Sequence, residues 1–262
     1  MPTKVRLPNG ARRQLETEPL SEEAFSTFGT VIANPAPSLT PSKNLTTVPP
    51  NAVQANQGSA LKYLDVTVMK DFYGISPSTQ ASKAVMNMFV CAPRELISTP
   101  DPTIEGLFPI QILERHPFTT QTFIPLGVSP QEAHRARYLV VVAPSLPPSP
   151  NDEDLPVPSQ APEVQPTGRL PGRGLPDLNR IRAFMANGSQ AVTYGAGTWH
   201  APMVVVGEKP IDFVVVQFAN GVGNEDCQEV DWKNDEDDRG LSVAVPAVAI
   251  NALERTRGLE RL

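Results

Sequence analysis

Eight short segments rich in β-branched or aromatic residues, each bounded by glycine, proline or asparagine, most constrain how this chain folds. Regular short strands separated by turn signals are typical of a β-barrel or β-sandwich, whereas alternating strand and helix patterns would indicate a parallel α/β sheet. The sequence therefore predicts an all-β protein. The expected strands cover residues 60–70, 85–91, 109–115, 122–126, 138–143, 190–194, 202–206 and 213–219.

Helical signals are few, so only a few short peripheral helices are expected. Ser21 is a suitable N-cap, acidic residues occupy the following turn, and Gly29 ends this helix before a strand. Residues 178–185 fit either a helix or a strand that begins at Arg182, and both alternatives remain open. The tail from 243 to 255 is expected to hold a short apolar segment followed by a frayed helix.

Proline is concentrated in two polar stretches of the chain. Ten of the 29 prolines lie between residues 144 and 176, where acidic residues replace any aliphatic pattern, and a similar stretch covers about 34–57. Segments of this composition bury too little apolar surface to form a core. We therefore predict one domain over residues 1–262, with flexible insertions at about 34–57 and 144–176.

The charge pattern argues against several classes of partner. The formal net charge is −6, and no basic cluster is present to displace counterions from phosphates, so neither nucleic acid nor membrane is expected as a partner. No apolar run approaches the roughly 20 residues that cross a bilayer, and the first residues lack the apolar core of a secretion signal. A cytoplasmic location with reduced thiols at Cys91 and Cys227 is expected. The acidic stretch 226–238 fits a solvated loop better than a cation site.

Two of the three histidines lie in segments that indicate a site. His200 follows a glycine-containing turn and enters an apolar segment. Glu114 and His116 alternate on one strand face, and Gln121 follows across a turn. Polar side chains on an otherwise apolar strand face point either to water or to a ligand. The third histidine, His134, is expected to be an exposed loop residue.

The spacing of these residues is similar to the metal-binding pattern of cupin barrels. That pattern has two histidines one residue apart, a glutamate four or five residues later, and a last histidine after a glycine turn. Glu114, His116, Gln121 and His200 stand at the four positions, so two of them depart from it. We predict a cupin-like β-barrel, or double-stranded β-helix. Its polar set either holds one divalent ion of unknown identity or does direct acid–base work, without an organic cofactor.

Several short motifs occur together in this chain: Glu114-Arg115-His116-Pro117, Gln121, Phe123-Ile124-Pro125, Asp177-Leu178, Arg182-Ala183-Phe184, Asn187-Gly188, Tyr194, Trp199-His200 and Pro202. In these motifs the chain resembles the ureidoglycolate lyase family, cupin-fold enzymes of allantoin breakdown, from about residue 20 to 230. The resemblance implies a carbon–nitrogen lyase that eliminates urea from ureidoglycolate to give glyoxylate in purine catabolism, and a homodimer. This chain departs from some members at Gly195 and Ala201, where they carry histidines.

The resemblance also suggests roles for individual residues. Our hypothesis is that His200 is the base, that His116 is the acid or a metal ligand, and that Gln121, together with Tyr194, hydrogen-bonds the ureido group. Arg115 or Arg182 would hold the substrate carboxylate, although strand alternation turns Arg115 away from the neighbouring histidine unless a bulge intervenes. The residues expected to contact the substrate are Arg115, Arg182, Tyr194, Trp199 and Asn187.

Two alternatives remain open on the sequence alone. One is a ureidoglycolate amidohydrolase, which would release ammonia and carbon dioxide and would need a metal-activated water. The other is a non-catalytic cupin-like protein that binds small molecules, with the proline-rich insertion as an interaction segment. Analysis of the reaction products separates all three hypotheses.

Overall fold

The computed structural model describes residues 3–4, 13–159, 170–232 and 240–247 of the chain. Strands dominate this part, and the two α-helices, α1 (Glu22–Phe25) and α2 (Gly223–Asp226), are short. Turns of 3-10 helix lie at Asn56–Gly58, Tyr73–Ile75, Pro150–Asp152 and Leu178–Arg180. The strands are β1 (Thr3–Lys4), β2 (Arg13–Leu15), β3 (Thr17–Pro19), β4 (Gly29–Ala33), β5 (Ala52–Ala55), β6 (Ala60–Tyr63), β7 (Lys83–Cys91), β8 (Ile104–Pro109), β9 (Ile112–Arg115), β10 (Gln121–Leu126), β11 (Arg137–Ala143), β12 (Arg182–Asn187), β13 (Gln190–Tyr194), β14 (Trp199–His200), β15 (Val204–Val205), β16 (Ile211–Ala219), β17 (Gln228–Asp231) and β18 (Leu241–Pro246).

These strands form three sheets and a small hairpin. The largest sheet has the order β1-β17-β9-β14-β11-β12-β3, with β15 also paired to β11. A five-stranded sheet has the order β4-β13-β10-β16-β7, a three-stranded sheet has the order β2-β18-β8, and β5 pairs with β6. The all-β prediction is therefore confirmed.

The largest sheet is the middle layer, because alternate residues of β11 enter two different cores. Tyr138, Val140 and Val142 pack with Phe213 of the five-stranded sheet. The intervening residues of β11 pack instead with side chains of the three-stranded sheet, such as Val243. A strand buried on both faces reads as a continuous apolar run, as β11 does. Within the described residues the layers form a cupin-like sandwich of open sheets, without the closed barrel that the sequence suggested.

The first helix and the strand after it form as the sequence predicts. The Ser21 side chain accepts a hydrogen bond from the Ala24 amide, which caps α1, and Phe25 is fully buried beneath it. Gly29 then begins β4, where a side chain would not fit, since a Cβ atom would lie 1.8 Å from the Thr193 carbonyl oxygen. This close approach explains the glycine at that position.

Several other predicted elements differ from the structure in extent or type. The strand expected at 60–70 ends at Tyr63, and the one at 109–115 is divided between β8 and β9. The undecided segment 178–185 is a 3-10 turn followed by a strand that begins at Arg182. The expected acidic loop at 226–238 contains β17, because alternate residues there pack against the body of the protein. Residues 233–239, and those from 248 onward, lie outside the described residues.

The described parts of the proline-rich insertion contact the body of the protein and each other. Ser145 forms an isolated β-bridge with Pro176, and Arg173 Nε lies 2.6 Å from the buried carboxylate of Asp152. Residues 160–169 lie outside the described residues. The division into one domain with two flexible insertions remains a prediction.

Three further sequence predictions can be compared with the structure. Cys91 and Cys227 are both free thiols, as predicted. His134 is exposed, also as predicted. In the part of the chain that the structure describes, no helix has the length and apolar character needed to cross a membrane.

Candidate active site

A row of polar side chains crosses the middle sheet at β14, β9 and β17. His200 pairs in register with Glu114, and Glu114 pairs in register with Glu229. Directly paired residues project from the same face of a sheet. On its other side His200 pairs with Val142, which packs towards the five-stranded sheet, so the whole row faces the space between the two larger sheets.

The turn before β14 explains why the histidine points inward. Gly197 has a φ of 74°, a conformation that favours glycine, and the Thr198 amide donates to the Gly195 carbonyl to close the turn. Trp199 and His200 follow as consecutive strand residues, so they enter opposite faces of the sheet. The tryptophan lies in one core, and the imidazole faces the other.

His116 approaches the same place from the end of β9. Its side chain is 8% exposed and that of His200 is 1% exposed, and their ring centroids lie 5.5 Å apart. The backbone around His116 is tied to the turn before β14, because the Gly197 amide donates to the His116 carbonyl at 2.9 Å. Two segments that are distant in the sequence thus form one site.

Backbone carbonyls determine which nitrogen of each ring carries the proton. His116 Nδ1 lies 2.6 Å from the carbonyl oxygen of Asp226, and His200 Nδ1 lies 2.9 Å from that of Thr198. A carbonyl oxygen only accepts hydrogen bonds, so each Nδ1 carries a hydrogen and each neutral ring leaves its Nε2 as an acceptor. Both Nε2 atoms are buried without a hydrogen-bond partner among the described residues.

Glu114 adds a carboxylate to this pair of acceptors. Its Oε1 lies 3.6 Å from His200 Nε2, so a neutral imidazole would turn a lone pair towards a negative oxygen. A proton on Nε2, a hydroxyl group of a bound molecule, or a cation would relieve this contact. Burial acts to raise the pKa of Glu114, but His200 and His116 outweigh burial and lower it. Burial, followed by the charge of His200, lowers the pKa of His116.

The five-stranded sheet closes the site from the opposite side. The Tyr194 ring stacks on His200, with centroids 3.9 Å apart and planes 10° apart. Gln121 pairs in register with both Tyr194 and Gln217, and its Nε2 donates to Gln217 Oε1 at 2.7 Å. Gln121 Oε1 is left buried without a partner among the described residues. Burial raises the pKa of Tyr194 well above its ordinary value, so it remains a neutral phenol.

Three of these residues could hold a metal ion. One ligand atom from each of Glu114, His116 and His200 lies within 4.8 Å of the other two. Two imidazole nitrogens and a carboxylate oxygen form a donor set suited to a borderline divalent ion. The unpartnered Nε2 atoms are the donors that such an ion would need, so the residues fit the group.

Comparison with known proteins identifies the family of this chain. A family model described as ureidoglycolate lyase matches residues 12–236. The chain belongs to the ureidoglycolate lyase family. A Schizosaccharomyces pombe protein named ureidoglycolate lyase is 35% identical over 82% of this chain and 90% of its own length. Proteins of the same name from Saccharomyces cerevisiae and Pseudomonas fluorescens are 33% and 29% identical over 77% and 86% of this chain.

Arg115, which the family resemblance suggested as a carboxylate clamp, is not brought to this site. It follows Glu114 in β9, so strand alternation turns it into the opposite core, where it is fully buried. Its guanidinium lies over the Trp199 ring at 4.5 Å. Its hydrogen bonds go to Gln228 Oε1 and to the carbonyl oxygens of Gly172, Arg173 and Gly174. Arg115 therefore ties the end of the proline-rich insertion to the sheet.

Two other expected substrate contacts also lie elsewhere in this family member. Trp199 is buried in the opposite core, and its Nε1 donates to the Gly174 carbonyl at 3.1 Å. Asn187 ends β12, and its Oδ1 accepts from the amide and hydroxyl of Ser189, which shapes the turn to β13. Trp199 lies in the opposite core because consecutive strand residues alternate between the two faces of a sheet. Asn187 lies away from the site because it shapes a hairpin turn.

Arg182 lies on the correct face of the sheet but is engaged in other contacts. It pairs with Val142, which in turn pairs with His200, so one strand separates the arginine from the histidine. Its guanidinium forms an ion pair with Glu18 and donates to the Ala24 carbonyl at 2.9 Å. Its position keeps Arg182 near the site, whereas these contacts hold its charge away from the histidines.

Three residues of this region were not predicted from the sequence. Gln217 lies on the inward face of β16, two residues after Val215 and four after Phe213. A polar residue in this otherwise apolar alternation was the signal in the sequence that it belongs to a site. Cys227 and Glu229 were assigned to an acidic loop. Their spacing of two residues is the signal of a strand with both side chains on one face.

Proposed function

We propose that this chain is a ureidoglycolate lyase, which eliminates urea from ureidoglycolate to give glyoxylate during allantoin breakdown. The observation that carries this proposal is the pair of buried, unpartnered Nε2 atoms of His116 and His200 beside the Glu114 carboxylate. Membership of the family, whose relatives carry this name in fungi and Pseudomonas, supports the choice of substrate.

The reaction needs a proton acceptor and a proton donor close together. One carbon of the substrate bears a hydroxyl, a carboxylate and a urea nitrogen. Removal of the hydroxyl proton lets the C–O bond become a carbonyl, and the electron pair of the C–N bond leaves with the nitrogen, which takes up a proton. The products are glyoxylate and urea, with no water consumed and no redox change.

The structure favours His116 as the base and His200 as the acid. A proton on His200 Nε2 completes an ion pair with Glu114, so this ring is suited to carry the proton for the departing nitrogen. The pKa of His116 is lowered by burial and by the charge of His200, which keeps its Nε2 free to accept the hydroxyl proton. This assignment reverses the roles expected from the sequence.

Gln121 and Tyr194 are proposed to bind the ureido group. The unpartnered Oε1 of Gln121 can accept a hydrogen bond from a ureido N–H, and the neutral Tyr194 phenol can donate to the ureido carbonyl. Both residues project from the five-stranded sheet, opposite the histidines. A substrate held between the sheets would place its C–N bond near both imidazoles and away from bulk water.

A divalent ion bound at this site would be the alternative to direct proton transfer by the histidines, because it would occupy the same Nε2 atoms. Glu114, His116 and His200 would hold it, and it would supply positive charge for the substrate carboxylate and hydroxyl. That charge would replace the arginine clamp expected from the sequence, since Arg115 is committed to the opposite core.

The direct test is product analysis with purified protein. Racemic ureidoglycolate is incubated with and without a chelator, and urea, glyoxylate and ammonia are measured over time. Equal amounts of urea and glyoxylate are expected. Ammonia without urea would indicate an amidohydrolase, and no turnover after divalent ions are restored would indicate a binding protein. Loss of turnover with the chelator, and its recovery with added ions, would support the metal.

A homodimer and a cytoplasmic location complete the proposal. β7 is an edge strand of nine residues, and the outer face of its sheet exposes Met86, Met88 and Val90 by 76%, 56% and 71%. Long apolar edge strands are covered in native assemblies, and a second copy related by a two-fold axis would cover this one. The free thiols of Cys91 and Cys227 support a reducing compartment, which cell fractionation would test.

A further inference from the structure

Next to the histidines, a second group of potential metal ligands involves residues that the mechanism does not use. One ligand atom from each of Glu114, Cys227 and Glu229 lies within 4.8 Å of the other two. Cys227 and Glu229 are both half-buried, so a small solute can reach them. Only Glu114 is shared with the histidine group.

The strand register brings these three side chains together. Glu229 pairs directly with Glu114 across β17 and β9. Cys227 stands two residues before Glu229, so alternation places both on the face that carries the histidines, while Gln228 between them turns to Arg115. Extending the register of Gln228 with Arg115 by one residue places Cys227 beside His116, whose Nδ1 hydrogen-bonds to the Asp226 carbonyl.

The described residues compensate the charge of this group only in part. Two carboxylates face each other directly across the strand pair, an arrangement that destabilises a sheet when both are ionised. Among the described residues no lysine or arginine forms an ion pair with Glu114 or Glu229, and His200 is the one partner of Glu114. A cation between the carboxylates would remove this repulsion.

We propose that Glu114, Cys227 and Glu229 form a second cation site, which takes a thiophilic divalent ion of the Zn²⁺ class and inhibits the enzyme by drawing Glu114 away from His200. Binding releases the thiol proton to solvent and forms a metal–thiolate bond. Typical Zn–S and Zn–O lengths place tetrahedral ligand atoms roughly 3.6 Å apart, so a small rotation of the glutamate side chains closes the site. Water would occupy the fourth position.

The environment of the thiol suits this role better than redox chemistry. Burial, and then the charges of Glu114, Glu229 and Asp226, raise the pKa of Cys227 to about 12. The free thiol is therefore protonated and a weak nucleophile at neutral pH. A bound cation reverses this effect, because it neutralises the carboxylates and stabilises the thiolate directly.

Cobalt binding tests the site without measuring activity. Full-length protein is titrated with Co²⁺ under anaerobic conditions, and the thiolate-to-cobalt charge-transfer band in the near ultraviolet is recorded. The band is expected in the wild type, in Cys91→Ser as the matched control, and in His200→Asn. It is expected to be lost in Cys227→Ser. Absence of the band in the wild type, or its persistence in Cys227→Ser, would overturn the proposal, as would its loss in His200→Asn with unchanged circular dichroism.

Zinc affinity and inhibition provide the second measurement. Calorimetry with Zn²⁺ should show that Glu229→Gln weakens binding by about tenfold or more, as loss of a ligand or its support does. The inhibitory part rests on the proposed function: Zn²⁺ should inhibit the wild type, and Cys227→Ser should keep its basal turnover while needing about tenfold more Zn²⁺. Equal inhibition of both proteins would refute it. If no lyase activity exists, the cobalt band still decides the cation site.

Discussion

The aromatic ring of Tyr194 lies flat against the imidazole of His200, with centroids 3.9 Å apart and planes 10° apart. The tyrosine belongs to the five-stranded sheet and the histidine to the middle sheet, so this contact joins the two layers at the site. The rings of Phe25 and Phe123 also contact the tyrosine, both in edge-to-face geometry. The orientation of His200 therefore depends on packing between sheets as well as on its own strand.

Replacing Tyr194 should separate stacking from hydrogen bonding. Tyr194→Phe keeps the ring and should alter the free energy of unfolding by less than about 1.5 kcal/mol, whereas Tyr194→Ala opens a cavity worth about 3–5 kcal/mol. If the phenol binds the ureido group, Tyr194→Phe should raise KM. Chemical denaturation and steady-state kinetics check both effects. An unchanged KM in Tyr194→Phe would remove the hydroxyl from substrate binding.

Loss of the proton donor should remove most of the turnover. His200→Ala is expected to lower kcat by about 10²–10⁴-fold, the usual contribution of a positioned acid or base. Glu114→Gln should also lower kcat, because the amide no longer forms an ion pair with the protonated imidazole. Circular dichroism should show an intact fold in both variants. Near-normal turnover in His200→Ala would exclude it from the mechanism.

The pH dependence of activity should reflect a neutral His116. Its pKa is lowered by burial and by the charge of His200, so the acceptor form persists below the ordinary histidine pKa of about 6.5. Activity should be retained as the pH falls to about 6.5 and should be lost only below it, as Nε2 becomes protonated. A kcat/KM profile measures this limb. A midpoint well above the ordinary value would contradict the assignment of His116 as the base.

Arg115 should affect stability rather than substrate affinity. Arg115→Met leaves buried carbonyl oxygens and Gln228 without their donor, and should lower the free energy of unfolding by about 3 kcal/mol or more. Arg182→Met loses an exposed ion pair with Glu18 and should cost about 1 kcal/mol or less. Thermal denaturation compares the two. A large rise in KM for Arg115→Met at unchanged stability would restore it as a carboxylate clamp.

The exposed outer face of β7 should control the oligomeric state. Light scattering after gel filtration should give twice the chain mass for the wild type. Met88→Asp should shift the protein towards monomer, since it places a charge in the middle of the apolar surface. Lys83→Asp, at the beginning of the same strand, serves as a matched control and should leave the dimer intact. A monomeric wild type would refute the homodimer.

Local patterns in the sequence were sufficient for several of the strands and for the central trio of the site. β-Branched runs between turn residues predicted β10, β11, β13 and β16, because strand formation there follows local side-chain preference and burial. The spacing of Glu114, His116 and His200 also predicted a shared site, since alternation and a glycine turn are local properties that determine which way each side chain points.

The roles of the surrounding residues depended on partners that are distant in the sequence. Arg115 is not the predicted carboxylate clamp because its guanidinium binds carbonyl groups of the insertion, and the predicted acidic loop near Glu229 contains a strand because it pairs with β9. Thus the sequence by itself determined the all-β class, the family and the grouping of Glu114, His116 and His200, but not the position of Gln121 in the opposite sheet. Tertiary structure alone decided which charges are engaged, which imidazole faces a carboxylate, and which sheet covers the site, because these depend on cross-strand register and layer packing.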